Sequence, residues 1–298
     1  MVVCISQDIS TDLCCHSGGD MKLRFNRLSK LPFVTAIGII MTLIGCDYVD
    51  WGGMFTSQHT INERFAEKDS LPAQSFDQTV DPNNFSFLMM SDCHYYKENS
   101  HHISNAAKDS RFSDISFIYI NGDNVQSGQQ YQYDYMMEDI NSINIPVYAG
   151  IGNHDLYNGG YELFKKYFGR TMFVLHIGCV DLFVMDTANG VIGTGQRKWI
   201  ENELRQSKAK YKIVTGHCSP IDSEYVGACT FGYEDDVDFM FDLFERYNVD
   251  CCITGHLHES DDCTIRGVRY IKIFDQAKPD HKFALVSVKS GTLSVEVF

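Results

Sequence analysis

VYAGIGNHD, residues 147–155, joins a strand-like apolar run to a group of polar side chains. The run Val147–Gly150 has the length and the β-branched and aromatic content of a buried strand. A glycine follows, and then an amide, an imidazole and a carboxylate occupy positions 153, 154 and 155. Ligands of open α/β sheets bind at the carboxyl ends of the strands, so these polar side chains are candidates for a binding site.

Four more strand-like runs end in the same way, with Asp or His shortly after the apolar residues and usually with a glycine beside them. In an open α/β arrangement these carboxyl ends meet at one edge, and we expect the polar side chains to converge there. The four are Phe85–Met90 followed by Asp92 and His94, Ile115–Ile120 followed by Asp123, Ile213–Thr215 followed by His217, and Cys251–Thr254 followed by His256 and His258.

Helical patterns separate the runs, and this alternation predicts a single α/β domain over residues 81–298. The chain then changes in character, because three short apolar runs follow one another with turns between them. Tyr270–Phe274, Ala284–Val288 and Leu293–Phe298 therefore predict an antiparallel meander. Further strands are expected at Met172–Ile177 and Leu182–Asp186, and helices at Tyr133–Ile143, Tyr161–Phe168, Arg197–Gln206 and Val237–Tyr247.

The polar side chains have the chemistry of transition-metal ligands. Asp92 with His94, and His256 with His258, are spaced so that both members point to the same side of an extended chain. Carboxylates and imidazoles without thiolates suit Zn, Mn or Fe. The set is too large for one ion and fits two ions with a carboxylate between them.

The five blocks D-x-H, G-D, G-N-H-D, G-H and G-H-x-H, in this order, resemble the signature of the calcineurin-like metallophosphoesterase superfamily. Gln196–Ile200 is similar to a Q-x-x-W-[LI] helix that is common in that family. The D-x-H form differs from the D-x-G of purple acid phosphatases. The resemblance extends from Asp92 to His258 and implies an α/β fold, a four-layer αββα sandwich, with metal-dependent hydrolysis of phosphate mono- or diesters.

The resemblance also implies a role for each residue of the blocks. His154 would bind the substrate phosphate and protonate the leaving group, and Asp155 would orient the His154 ring. A hydroxide shared by the two ions would attack phosphorus, since such ions lower the pKa of water from about 15.7 towards about 7. One ion would be held by Asp92, His94, Asp123 and His258, and the other by Asp123 as the bridge with Asn153, His217 and His256.

The first 46 residues predict an exported lipoprotein. From Met21 a basic segment leads into the apolar run Leu31–Gly45, which is too short to span a bilayer. Leu-Ile-Gly-Cys46 at its end resembles the lipobox of bacterial lipoproteins, which implies a lipid on Cys46; an uncleaved anchor or a buried helix are the alternatives. We interpret residues 1–20 as a mis-called extension, 21–45 as the signal peptide and 46–80 as the lipidated cysteine with a tether that can partly pack on the domain.

Charge bears on the competing functions. The 25 Lys and Arg residues against 39 Asp and Glu give a net charge of −14, without a long basic block. Because non-specific nucleic-acid binding depends on neutralising phosphates, no nucleic-acid partner is expected. A metal-dependent nuclease remains an alternative, as does a non-catalytic metal-binding interaction protein, which would need a broken ligand set. His176, in an apolar run, is expected to be a core histidine.

Overall fold

The computed structural model describes residues 59–221, 231–273, 275–276 and 282–298. Cys46, the signal-like segment and residues 47–58 of the tether lie outside these ranges. No helix in the described part of the chain is long and apolar enough to cross a membrane.

Two mixed β-sheets form the centre of the domain. The first sheet has the order β11-β10-β1-β2-β3, with β1, β2 and β3 parallel and β10 antiparallel to both of its neighbours. Its strands are β1 Phe85–Met90, β2 Ile118–Asn121, β3 Val147–Gly150, β10 Ala284–Lys289 and β11 Thr292–Val297. The second sheet has the order β4-β5-β6-β7-β9-β8, and its antiparallel strands β4 and β8 are at the two edges. Its strands are β4 Phe173–Ile177, β5 Val180–Val184, β6 Tyr211–Thr215, β7 Cys251–Thr254, β8 Asp261–Ile265 and β9 Val268–Lys272.

Helices cover the outer face of each sheet, which gives the expected four-layer αββα sandwich. Residues Phe87–Met90 of β1 are all apolar because both faces of the strand are buried: Phe87 and Met89 pack between the sheets, while Leu88 and Met90 pack beneath helices. Phe87 stacks on Phe117 at 4.5 Å in the core between the sheets. The helices are α1 Ile61–Glu67, α2 His102–Lys108, α3 Gln130–Asn141, α4 Tyr161–Phe168, α5 Thr194–Gln206 and α6 Glu234–Arg246.

The prediction that three C-terminal strands form one antiparallel meander is wrong for the first of them, Tyr270–Phe274. Strand β9 lies in the second sheet, where it pairs parallel to β7 and antiparallel to β8, while β10 and β11 complete the first sheet beside β1. The hairpin between β8 and β9 turns at Arg266 and Gly267, both with positive φ, as a two-residue hairpin turn requires. Strand β8 is a largely solvent-facing edge strand that begins with two aspartates, and its sequence therefore lacked the apolar pattern used to find strands.

Part of the expected tether packs on the domain. Helix α1 begins with a capping box between Thr60 and Glu63. Arg64 donates to both carboxylate oxygens of Asp186 at 2.7 Å, and the side chains of both residues are 0% exposed. The guanidinium also donates to the main-chain oxygen of His59 and to Asn189. Helix α1 is thereby joined to the loop that follows β5.

Residues 71–76, which we call the strap, pass from the start of β4 to β3, the edge strands on the same side of the two sheets. The main-chain oxygen of Pro72 accepts from Arg170 just before β4. The side-chain amide of Gln74 pairs with both main-chain groups of Ala149 at 2.8 and 2.9 Å, much as a neighbouring strand would. Phe76 packs against Phe117 in the core between the sheets. The strap therefore covers one side opening of the sandwich.

Candidate metal centre

The predicted ligands follow the ends of five strands, and several of them have an unusual backbone conformation. Five of these ligands have positive φ, which costs energy for residues other than glycine. Such strain persists at functional sites, where the surrounding structure holds the backbone in place. The five are Asp92 at 56°, His94 at 45°, Asp123 at 48°, His256 at 73° and His258 at 51°.

Two glycines of the motifs are required by close approach. A Cβ at Gly152 would collide with the main chain and carboxylate of Asp123, and one at Gly255 would collide with Ser91 and the carboxylate of Asp92. The glycines therefore let neighbouring strand ends pack directly against the carboxylates.

The first ion site is formed by Asp92, His94, Asp123 and His258, whose candidate ligand atoms all lie within 4.8 Å of one another. His258 Nε2 is 3.3 Å from Asp92 Oδ1 and 3.3 Å from His94 Nε2. Asp92 Oδ1 is buried and accepts no hydrogen bond in the described part of the chain. Because two imidazole nitrogens and an unpaired carboxylate oxygen face one point, a cation there would satisfy all three.

The second ion site contains Asp123, His217 and His256, again with candidate atoms within 4.8 Å. His217 Nε2 is 3.2 Å from Asp123 Oδ2 and 3.1 Å from Asn153 Oδ1, and His256 Nδ1 is 3.2 Å from His217 Nε2. Asp123 belongs to both groups, as the family resemblance implies for a carboxylate shared by two ions. The donor set of these residues fits two ions.

Burial and neighbouring charges shift the pKa values of several titratable groups in the site. Burial disfavours the charged His217 ring, but Asp123 and Asp92 outweigh this effect and raise the pKa of His217 to about 10. Burial raises the pKa of Asp123, yet the nearby His217 and His154 rings hold it well below its usual range. Burial and the neighbouring His154 lower the pKa of His94 to about 3. A cation entering the second site would therefore replace a proton on His217.

Asn121 joins the two sheets beneath the site. Its side-chain amide donates to the main-chain oxygens of Gly216 at 3.0 Å and Ile253 at 3.2 Å, next to the ends of β6 and β7. Its own main-chain oxygen lies 2.9 Å from His217 Nδ1 and accepts that ring proton. His217 Nε2 is then directed at the second ion site. Sequence reasoning did not single out Asn121, although it directly precedes the G-D block.

His154 lies beside both ion sites with one ring nitrogen directed at them. Its Nδ1 is 2.6 Å from the main-chain oxygen of Gln126, and its Nε2 is 3.9 Å from Asp123 Oδ2. The Tyr157 ring packs against it with the centroids 4.6 Å apart, and the side chain stays 15% exposed. This position permits His154 to contact a substrate without being one of the grouped ligands.

The predicted orienting role of Asp155 is wrong, because the Gln126 main-chain oxygen occupies that place. The buried Asp155 carboxylate instead accepts from the main-chain nitrogens of Gly152 at 2.8 Å and Val125 at 3.2 Å. It also accepts from the Asn124 side chain at 2.8 Å. Burial, with a smaller effect of Asp123, raises the pKa of Asp155 to about 6. Asp155 therefore organises the two loops that carry Asp123 and His154.

Sequence reasoning missed two further contacts to the predicted ligands. Asp275 Oδ2 is 3.2 Å from Nδ1 of His258, although Asp275 lies in no motif block. The Tyr157 hydroxyl accepts from Asn153 Nδ2 at 3.0 Å, which directs the amide oxygen at the second ion site. His176 also differs from expectation, because its side chain is 76% exposed and pairs with Asp181 at 2.7 Å instead of lying in the core.

The sequence profile of the calcineurin-like phosphoesterases matches residues 85–260, more than half of the chain. This chain belongs to that family. The match begins at β1 and ends just beyond His258, so it contains all five motif blocks. The resemblance inferred from the blocks is thus confirmed. No curated protein sequence matches this chain.

Solved structures share the fold of this chain at low sequence identity. The purple acid phosphatase PPD1 from yellow lupin (Lupinus luteus) seeds superposes with a TM-score of 0.62 at 14% identity, over 75% of this chain and 53% of that one. This chain thus spans about half the length of the lupin enzyme. A dimetal phosphatase from Danio rerio has a TM-score of 0.58 at 14% identity, over 72% of this chain and 95% of that one. GAP50, the anchor in the inner membrane complex of Plasmodium, has a TM-score of 0.52 at 15% identity, over 72% of this chain and 84% of that one.

Proposed function

We propose that this protein is a dinuclear phosphoesterase that hydrolyses phosphate mono- or diesters by attack of a hydroxide held between two transition-metal ions, Mn, Fe or Zn. The observation that carries the proposal is the pair of ligand groups that share Asp123. The ions would supply the nucleophile and offset the charge of the phosphoryl oxygens.

The chain's own residues would provide the rest of the chemistry. His154 donates its Nδ1 proton to Gln126, so that Nε2 faces the ion sites and can carry the proton that the leaving group takes. The adjacent Tyr157 ring limits how far the His154 ring can turn. In this proposal Asp155 acts only on the loops, through its contacts with main-chain nitrogens.

The alternatives have less support. A nuclease would benefit from positive charge along its substrate, whereas this chain has a net charge of −14. A non-catalytic role is compatible with the fold, because GAP50, described as an anchor, shares it. The intact ligand set favours catalysis over that role.

Metal analysis together with a substrate panel tests the proposal. The purified protein should contain close to two transition-metal ions per chain and should hydrolyse aryl phosphate monoesters or diesters only when loaded. Asp123→Ala should lose both ions and the activity, since both sites share that carboxylate. His154→Ala is the matched control and should retain both ions. Full metal content in Asp123→Ala would contradict the shared-carboxylate arrangement.

We further propose that Cys46 carries a lipid and holds the protein at the outer side of a bacterial cytoplasmic membrane or at the cell surface. The support is the order of basic segment, apolar run and lipobox-like tetrapeptide in residues 21–46. Cys46→Ser should abolish labelling by a radioactive fatty acid and leave a larger, unprocessed product. Cys15→Ser, before the proposed start at Met21, should be processed normally. A Cys46→Ser protein cut at the same place would contradict the proposal.

A further inference from the structure

Asp275 contacts a ligand of the first ion site from outside the motif blocks. It follows β9, and its side chain is buried, with the residue 3% exposed. Asp275 Oδ2 lies 3.2 Å from Nδ1 of His258, the ring nitrogen on the far side from the other ligands. His258 Nε2, on the near side, is 3.3 Å from Asp92 Oδ1. The His258 ring therefore bridges Asp275 and the first ion site.

This geometry determines which His258 nitrogen is available to an ion. A carboxylate beside Nδ1 favours the tautomer in which Nδ1 carries the proton, because that proton is then donated to the carboxylate. Nε2 is left with its lone pair directed at the first ion site. A hydrogen bond to an anion also makes the imidazole a stronger electron donor to a metal.

The histidine of the second ion site has a neutral partner at the corresponding position. His217 Nδ1 lies 2.9 Å from the main-chain oxygen of Asn121, which carries no formal charge. The first ion site is thus surrounded by Asp92, the shared Asp123 and, through His258, Asp275. Among the described residues, the carboxylate grouped with the second site is that of Asp123, which both sites share.

We propose that Asp275 is a positioning residue of the first ion site: it fixes the orientation and tautomer of His258 and makes this site bind its ion more tightly than the second. The inference rests on the proposed dinuclear function. A merely structural role for Asp275, holding the segment after β9 in place, would affect stability without distinguishing the two sites.

The test isolates each ion site and then changes Asp275. In a His256→Ala protein the first site remains, and in a His94→Ala protein the second remains. Into each we introduce Asp275→Asn, which keeps a hydrogen-bond acceptor without the charge, and Asp275→Ala, which removes both. Affinity for Mn²⁺ is measured by calorimetric titration, and the thermal midpoint of the metal-free protein is measured in parallel.

The control is Asp181→Asn. Asp181 forms the same kind of pair, with His176 at 2.7 Å, at a position that belongs to neither ion site. The thermal midpoint of Asp181→Asn shows how much stability is lost when a carboxylate–imidazole contact away from the ion sites is weakened.

In the His256→Ala protein we expect Asp275→Ala to weaken Mn²⁺ binding by about 10- to 100-fold and Asp275→Asn to weaken it less. Affinity in the His94→Ala protein should stay unchanged, as should both affinities in the Asp181→Asn control. Unchanged affinity at the first site, or an equal loss at both sites, would overturn the inference while leaving the proposed function intact. A wild-type protein that binds fewer than two ions would overturn the proposed function and the inference with it.

Discussion

The buried ion pair between Arg64 and Asp186 permits a quantitative prediction about how α1 is held. Arg64→Met keeps most of the length and apolar volume of the side chain and removes its charge. The Asp186 carboxylate then stays in a place where its side chain is 0% exposed, without the two 2.7 Å hydrogen bonds that compensate it. Removing one partner of a buried ion pair typically costs about 3–5 kcal/mol.

This free energy translates into a large shift of the melting temperature. For domains of roughly 150–250 residues, each kcal/mol corresponds to about 2–4 °C, so Arg64→Met should lower the midpoint by about 6–20 °C. The assay is thermal unfolding of the metal-free protein followed by circular dichroism. Arg64→Met combined with Asp186→Asn should recover part of the loss, because the uncompensated charge is then gone.

Arg266→Met provides the control, since Arg266 pairs with Asp242 at the surface, where both side chains are substantially exposed. Exposed pairs contribute little to stability because water and salt screen them. We expect the control midpoint to match that of the wild type within error. If Arg64→Met melts no lower than this control, α1 does not depend on the buried pair and the reasoning is refuted.

Three predictions concern the metal centre itself. His154→Ala should lower kcat by about 10²–10⁴-fold, less with a nitrophenolate leaving group that departs unprotonated; equal losses with an alkyl ester would refute general-acid catalysis. Tyr157→Phe should weaken Mn²⁺ binding at the second ion site about 10-fold, because the Asn153 amide loses its hydrogen bond to the Tyr157 hydroxyl. Tyr161→Phe is the control and should leave Mn²⁺ binding unchanged, because the Tyr161 hydroxyl has no hydrogen-bond partner among the described residues. With the pKa of His217 at about 10, an incoming ion must displace a proton. The affinity of the second ion site for Mn²⁺ should therefore rise about tenfold per pH unit between about pH 6 and about pH 8. An affinity that does not change with pH in calorimetric titrations would contradict this.

Short-range patterns in the sequence sufficed to find the strand ends that carry the candidate ligands, whereas the division of these ligands between two sites came from the family resemblance. Each block combines an apolar run with a polar residue directly after it, and the fold needs only parallel strand order to bring such blocks together. Helix Tyr161–Phe168 and strands β1, β3 and β7 begin and end where the pattern predicted. The placement of β9 in the second sheet was missed, because it depends on pairing with the distant strand β7, and no local sequence pattern indicates such a pairing.

The contacts that support the ligands were also beyond the sequence. Two strands, β8 and β9, separate Asp275 from His258 in the chain, and the pairing of β9 with β7 brings the Asp275 carboxylate back to the His258 ring. The role expected of Asp155 came from the family resemblance, whereas in the fold its carboxylate accepts from main-chain nitrogens of two loops. Arg64 resembles an ordinary surface residue of a polar segment until its partner, Asp186, is known.

The strap has a practical consequence for anyone who produces this domain. The motif-bearing part begins near residue 81, and an expression boundary placed there would remove Gln74 and Phe76 from the side of the sandwich. Ala149 on β3 would then expose an unpaired main-chain donor and acceptor, beside a newly uncovered Phe117. Bare sheet edges of this kind pair with the edges of other copies and lead to aggregation. A protein that starts before His59 should remain soluble and monodisperse where the shorter one precipitates, and a protease cut within residues 71–76 should have the same effect as the truncation.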